Sequence, residues 1–553
     1  MEFLETVYRP WSDAWILLGE DHDFDSGPHE GDVPFYSNDQ IATQLTTDFW
    51  GGTTYSFNVE TGDTLTVDLS ALADNGQLMA RLALDAWSEV TGLEFIERTA
   101  DQLAPSATQT EGPDASSGTL TAYSMSVGED FTGTIGAADR DAVAVNLIAG
   151  QSITIALDGN ADAGNALVDP YLRLRDGNGN VIAQNDDANG MGSMISFEAP
   201  TSGTYYVQAG SYLDSLSGDY TLSIRETPSS PAITFQDDAA GAYAQFWASG
   251  STITRATINI DDTWAGGSAR VDGYFYQTYI HEIGHALGLG HAGNYNGSAT
   301  YGADNNYLND SWQASVMSYF HQVENTFIDA SFAYVITPQV ADIIAIQNLY
   351  GTPENNTGDD TYGANANTGT YLDTALSLSN PISFTVFDTD GTDTFDFSEF
   401  TGDQNMDLRE EAFSDLAGLT GNIGISRGTI IEYGLTGNGD DSIHGNSSNN
   451  GLSTGAGTDT AYGADGNDAL RGQDGNDTLE GGEGRDVLEG GQGDDGLDGG
   501  NGGDLLLGDV ITFAELADMF PSWTPEANAQ MLLDQGDLLA VWEDILLDSF
   551  AIA

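Results

Sequence analysis

Residues 272–295 read DGYFYQTYIHEIGHALGLGHAGNY, with His281, Glu282, His285, Gly288 and His291 at the spacing H-E-x-x-H-x-x-G-x-x-H. On a helix, positions i and i+4 project from one face, so His281 and His285 present two imidazoles to one ion. Glu282 then points to a flank, beside the ion's open position. Gly288 tolerates the backbone turn that ends the helix, after which the chain brings His291 round as a third ligand. Three neutral imidazoles with a water in the fourth place make a catalytic zinc site rather than a closed structural one, and such a water reaches a pKa near ~7. In a random chain of this composition the five positions arise on the order of once in ten thousand.

Composition narrows the alternatives. The chain has 553 residues, with 13 basic and 86 acidic side chains and a formal charge of −73. At roughly 100–200 residues per domain, this length implies three or four domains. All the cations are arginines and every region is acidic, which excludes nucleic acid as a partner because phosphate binding needs a basic footprint. Zero cysteine excludes disulfides, thiolate zinc sites and a cysteine nucleophile, leaving His, carboxylate, Tyr or backbone oxygen to hold a metal. No apolar run approaches the roughly 18 residues of a membrane span. Glu2, Glu5, Glu20, Asp21 and Asp23 interrupt any apolar stretch near the start, so export by a route other than a cleaved N-terminal signal is expected.

Downstream, residues 436–507 repeat every nine residues: TGNGDDSIH, GNSSNNGLS, TGAGTDTAY, GADGNDALR, GQDGNDTLE, GGEGRDVLE, GGQGDDGLD, GGNGGDLLL. Position six is Asp441, Asp459, Asp468, Asp477, Asp486, Asp495 and Asp504, with Asn450 as the exception. Position eight supplies Ile443, Leu452, Leu470, Leu479, Leu488, Leu497 and Leu506, one inward side chain per short strand. Between 436 and 509 there are 16 acids and 2 arginines, a net −14 that repels itself without a cation. A flexible glycine-rich linker would not keep eight units in register. The pattern resembles the RTX parallel β-roll, which implies that these seven aspartates hold several structural calcium ions shared between turns. Residues 357–435 read as strands leading into the roll, and 510–553 as helix and strand capping it.

Between 112 and 229 short strands alternate with Gly, Asn and Asp turns at the spacing of a sandwich, bounded by linkers at 104–118 and 227–231. The segments DPYLRLRDGNGNVIAQND, APTSGTYYVQAG and GDYTLSI resemble the bacterial pre-peptidase C-terminal domain, a small β-sandwich. Such an insertion overhanging a cleft would bind insoluble protein or polysaccharide, or serve structure alone.

The zinc motif, followed by Ser315-Val-Met-Ser-Tyr319 in the manner of a Met-turn, resembles the metzincin endopeptidases, and its combination with a roll resembles serralysins. Further matches are GNYNG after His291, TPQVADIIAIQNLYG at 337–351, TGDDTYG at 357–363 and FDTDGTDTFDFS at 387–398. Ala292, Asn294 and the insertion depart from the family pattern. The resemblance implies an α+β catalytic domain, with a mixed five-stranded sheet and an active-site helix, interrupted by the sandwich and followed by the parallel β-roll. It implies one catalytic Zn²⁺ on His281, His285, His291 and a switchable Tyr319, with Met317 as a hydrophobic base beneath. Glu282 is then the general base and Tyr319 stabilises the oxyanion.

The expected layout is an N-terminal segment and candidate propeptide at 1–31, the catalytic domain at 32–111 and 230–350, the insertion at 112–229, the roll at 351–509 and a cap and secretion region at 510–553. In the catalytic half, 53–69 reads as a strand, and 77–91 as a helix with Leu78, Leu82, Trp87 and Val90 on its apolar face. The strand at 257–261 reads as the edge against which a substrate peptide pairs. The expected activity is secreted, monomeric, zinc-dependent endoproteolysis of extracellular proteins. Export by type I machinery follows from the resemblance, although LLDSFAIA at 546–553 departs from the usual acid-then-apolar ending. The rival class is a calcium-dependent adhesin or carbohydrate-binding protein with a vestigial zinc site. Glu282 argues against it, because a purely structural metal site has no use for that acid.

Overall fold

The computed structural model describes residues 3–5, 33–97, 107–149, 151–160, 165–186, 192–226 and 231–508. They divide into two compact units, one formed by Met1–Ile96 with Ala232–Ala553 and the other by Glu97–Pro231.

In the first unit, a mixed sheet of seven strands, not the five expected, runs in the order Phe3–Glu5, Ala242–Ser249, Thr252–Ile260, Ile233–Gln236, Thr64–Asp68, Glu94–Glu97, with Phe3–Glu5 and the short Ser56–Phe57, which pairs to Thr252–Ile260, as the two additions. Ile233–Gln236 pairs in parallel with both Thr252–Ile260 and Thr64–Asp68, whereas Ala242–Ser249 is antiparallel. The expected edge strand is therefore corrected: Thr252–Ile260 lies inside the sheet, and Ala242–Ser249 lies outside it, with Phe3–Glu5 added antiparallel beyond. Ile258, Asn259 and Ile260 are all buried in succession, the mark of a strand covered on both faces. The strand expected over 53–69 is two short strands separated by a turn.

Helix Asp74–Thr91 packs across the sheet through Met79, Ala83, Trp87 and Val90 and ends on Gly92 in the left-handed conformation. Leu78, expected on its apolar face, is 45% exposed, because the buried stripe runs through 79, 80, 83, 84 and 87. Trp87 Nε1 donates to the carbonyl of Ile280 at 3.0 Å, pinning this helix to the neighbouring helix Tyr274–Ala286. Helix Val340–Tyr350 completes the core.

The roll consists of two parallel sheets whose strands pair with those eighteen residues on, as in Thr460 opposite Thr478 and Ala469 opposite Val487. Ile443, Leu452, Leu470, Leu479 and Leu488 are buried between the sheets. Leu506 is instead 46% exposed, and Leu507 is the buried residue of that last described strand. The capping elements expected at 510–553 lie outside the described residues, as does most of 1–31.

The second unit is a sandwich of two five-stranded sheets around its own core of Phe131, Val143, Ile155, Leu172, Val207 and Leu222. Part of the expected 104–118 linker belongs to it: Ala107–Thr110 pairs in parallel with the start of Glu129–Ile135. Polar residues predominate in that strand, so alternation gave no signal there.

Candidate active site

Helix Tyr274–Ala286 carries His281, Glu282 and His285, and the chain turns sharply at Gly288, where φ is +108° and a Cβ would stand 2.1 Å from the carbonyl oxygen of Tyr55. Only glycine fits that turn. It returns His291 to the helix face, so that Nε2 of His285 lies 3.1 Å from Nε2 of both His281 and His291. His281 Nδ1 lies 2.8 Å from the carbonyl of Val316, and His285 Nδ1 lies 2.8 Å from that of Leu289. A carbonyl only accepts, so each Nδ1 carries the proton and each Nε2 keeps its lone pair.

Burial lowers His281 to about 4, and burial together with the neighbouring imidazoles holds His285 and His291 well below the usual range. The lone pairs of His281 and His285 converge at Nε2 and repel one another until a cation lies between them, and His291 brings a third Nε2 to the same point. The donor set therefore fits a zinc ion. Glu282 is 2% exposed, and its Oε2 has no hydrogen-bond partner. Burial raises its carboxyl well above the usual range. Glu282 and His281 face a cleft of about 360 Å³ whose walls include Tyr274, Trp312, Val316 and Tyr319.

Met317 is fully buried beneath the histidines. A Cβ on Gly284 would stand 2.7 Å from its sulfur, so the helix lies directly on this methionine. The Tyr319 ring centroid is 4.5 Å from that of His291, and its hydroxyl accepts from the Gly297 amide at 3.2 Å. The six residues expected at the site thus come together.

Sequence reasoning missed the residues that hold this arrangement. Asp342 is buried and accepts from the Ser315 hydroxyl at 2.6 Å and the Val316 amide at 2.7 Å, bracing the loop before Met317. Asp310 and Tyr295 brace the far side. Within the motifs quoted above, 337–351 contains Asp342 and 293–297 contains Tyr295, but their contacts are long-range and leave no local pattern.

The roll aspartates lie apart from this centre and form two ladders. Oδ1 of Asp459, Asp468, Asp477, Asp486, Asp495 and Asp504 each accepts the backbone amide eighteen residues upstream, at 2.7–3.2 Å. Oδ2 of Asp441, Asp459, Asp468, Asp477, Asp486 and Asp495 is buried without a partner. A Cβ on Gly472 would stand 2.3 Å from Oδ2 of Asp477, so the glycine opening that unit leaves the carboxylate its space. Burial raises Asp459 to about 6 and Asp468 to about 7. Buried carboxylate oxygens with unused lone pairs suit a hard oxygen-seeking cation such as calcium. Asn450, the exception in the repeat, uses its amide to donate to the carbonyls of Ile431 and Glu432.

Two further carboxylate groups could hold such a cation: Asp360, Asp388 and Asp393 in the first unit, and Glu111, Asp114 and Asp141 in the second. Oδ1 of Asp388 and of Asp141 is buried and unpartnered. The sequence reading singled out neither.

Residues 352–498 match the family of the serralysin C-terminal region of M10 peptidases, and residues 139–211 match the bacterial pre-peptidase C-terminal domain. A serralysin of Photorhabdus luminescens is 45% identical over 195 residues, 34% of this chain and 40% of the relative. Serralysin C of Dickeya chrysanthemi is 46% identical over 172 residues, 30% of this chain and 36% of its own length. A serralysin of Proteus mirabilis is 41% identical over 226 residues, 40% of this chain and 45% of its own length. The chain thus spans about two fifths of the length of the curated relatives it matches. By these matches residues 352–498 are similar to the C-terminal region of serralysins, and residues 139–211 to the bacterial pre-peptidase C-terminal domain.

Proposed function

We propose that the chain is a secreted zinc endopeptidase whose first unit contains a metzincin catalytic domain followed by a calcium-stabilised roll. The observation that carries this reading is the convergence of three neutral histidine Nε2 atoms beside the unpartnered Oε2 of Glu282, at the wall of a cleft. A zinc ion held by His281, His285 and His291 supplies Lewis acidity toward a scissile carbonyl and acidifies water at neutral pH.

Glu282 takes the proton of the attacking water and returns it to the leaving amine. Its Oε2 has no hydrogen-bond partner, which leaves that oxygen available for the transfer. The Tyr319 hydroxyl, released from the Gly297 amide, donates to the developing oxyanion. Met317 and the Val316 carbonyl keep His281 oriented from below. No acyl-enzyme forms, because the nucleophile is water.

The two aspartate ladders hold several calcium ions, which offset the roll's net negative charge and tie its folding to an extracellular calcium concentration. Type I export as a monomer, with the sandwich unit inserted in the catalytic domain at about 97–231, completes the proposal. Casein hydrolysis in millimolar calcium, its loss on chelating zinc and its return on adding zinc back test the reading. Hydrolysis that persists in the zinc-free protein contradicts it.

A further inference from the structure

Asp310 is fully buried, and the groups that meet its carboxylate are neutral. The Tyr295 hydroxyl donates to it at 3.1 Å from Oδ1 and 3.2 Å from Oδ2, and the Ser318 hydroxyl donates at 2.7 Å. A buried carboxylate held by hydroxyls alone is costly to fold, so packing does not explain the choice of aspartate.

What the carboxylate does is claim the protons of both hydroxyls. Their lone pairs then face the backbone: the Tyr319 amide donates to Tyr295 Oη at 3.3 Å, and the Phe320 amide donates to Ser318 Oγ at 3.1 Å. The Tyr295 ring also packs on that of Tyr319, with centroids 4.7 Å apart, and Tyr319 packs in turn on His291. Gly293 leaves room for this, since a Cβ there would stand 2.4 Å from the Tyr295 ring. One buried acid therefore ties the loop after His291 to the segment carrying Tyr319.

We propose that Asp310 and Tyr295 are positioning residues for Tyr319: through the two hydroxyls they fix its backbone and ring against His291, and hence the place from which its phenol serves the reaction. The proposal rests on the peptidase reading for its kinetic consequence, but not for its structural one.

The test has two arms. In the first, Tyr295→Phe and Asp310→Asn are assayed for peptide hydrolysis alone and in a Tyr319→Phe background. Each single change is expected to lower kcat about tenfold with KM within about twofold, and to add no further loss once Tyr319 is Phe. Full additivity in that cycle overturns the proposal.

The second arm needs neither metal nor activity. Tyrosine nitration of the zinc-free protein is followed by mass spectrometry in the parent and Asp310→Asn, with buried Tyr220 of the other unit as control. The result expected is several-fold faster nitration of Tyr319 in the variant and an unchanged Tyr220. An unchanged Tyr319 rate, or a parallel rise at Tyr220, overturns the proposal. If the zinc-loaded parent hydrolyses no peptide, the peptidase reading fails, and the nitration arm still decides whether Asp310 holds Tyr319.

Discussion

The Nδ1 of His281 lies 2.8 Å from the carbonyl oxygen of Val316, the residue immediately before Met317. The same bond that sets the tautomer of the first histidine thus ties the helix to the loop beneath it, and the loop's height sets the aim of the imidazole. Asp342 holds that loop through Ser315 and the Val316 amide.

The close approach of helix and loop makes Gly284 sensitive. A methyl group there meets the Met317 sulfur at 2.7 Å and Trp87 Cζ2 at 3.1 Å. Gly284→Ala is expected to destabilise the first unit by about 1–3 kcal/mol, the usual cost of overpacking a filled core. Chemical denaturation of the variant against the parent checks this; equal midpoints would mean that the loop gives way freely.

The repeat offers an internal contrast. Leu479 and Leu506 occupy the same position in their units, but Leu479 is fully buried and Leu506 is 46% exposed. Leu479→Ala should cost about 2–5 kcal/mol, the range for a truncated core leucine. Leu506→Ala should stay within about 0.5 kcal/mol. Unfolding of both variants in calcium measures the difference directly.

The roll's pH dependence should change sign with calcium. Burial raises Asp459 to about 6 and Asp468 to about 7 in the folded, metal-free state, above the ordinary 3.8. The folded chain then binds more protons than the unfolded one between about pH 4 and 7, so metal-free stability is fully present below that window and falls as pH rises through it. Calcium requires the ionised carboxylates and reverses the trend. Melting of the roll at pH 5 and pH 8, with chelator and with millimolar calcium, should give opposite orders of stability in the two media. The same order in both would contradict calcium binding by the ladders.

The centre was legible from the sequence because its spacing is dictated locally: i and i+4 on a helix bring His281 and His285 together, and a glycine turn returns His291. The nine-residue period was legible for the same reason, each unit repeating one local turn. What escaped the reading depends on partners distant in the chain. Alternation at 257–261 reports a strand but not whether its outer side is paired, and pairing with Ala242–Ser249 is what removed that strand from the edge. The polar strand Ala107–Thr110 has no apolar pattern, and its identity comes from a parallel partner about twenty residues on. Asp310 and Asp342 are single acids in an acidic chain; only their burial against hydroxyls and amides distinguishes them.

The central claim is that Glu282 performs chemistry at a metal it does not hold. Zinc content and casein turnover of Glu282→Ala, measured on the same preparation in millimolar calcium beside the parent, address it most directly. The account predicts one zinc per chain in both and a loss of turnover of about 100-fold or more in the variant, as expected when a general base is removed from an intact site. Parental turnover by the zinc-loaded variant would contradict it.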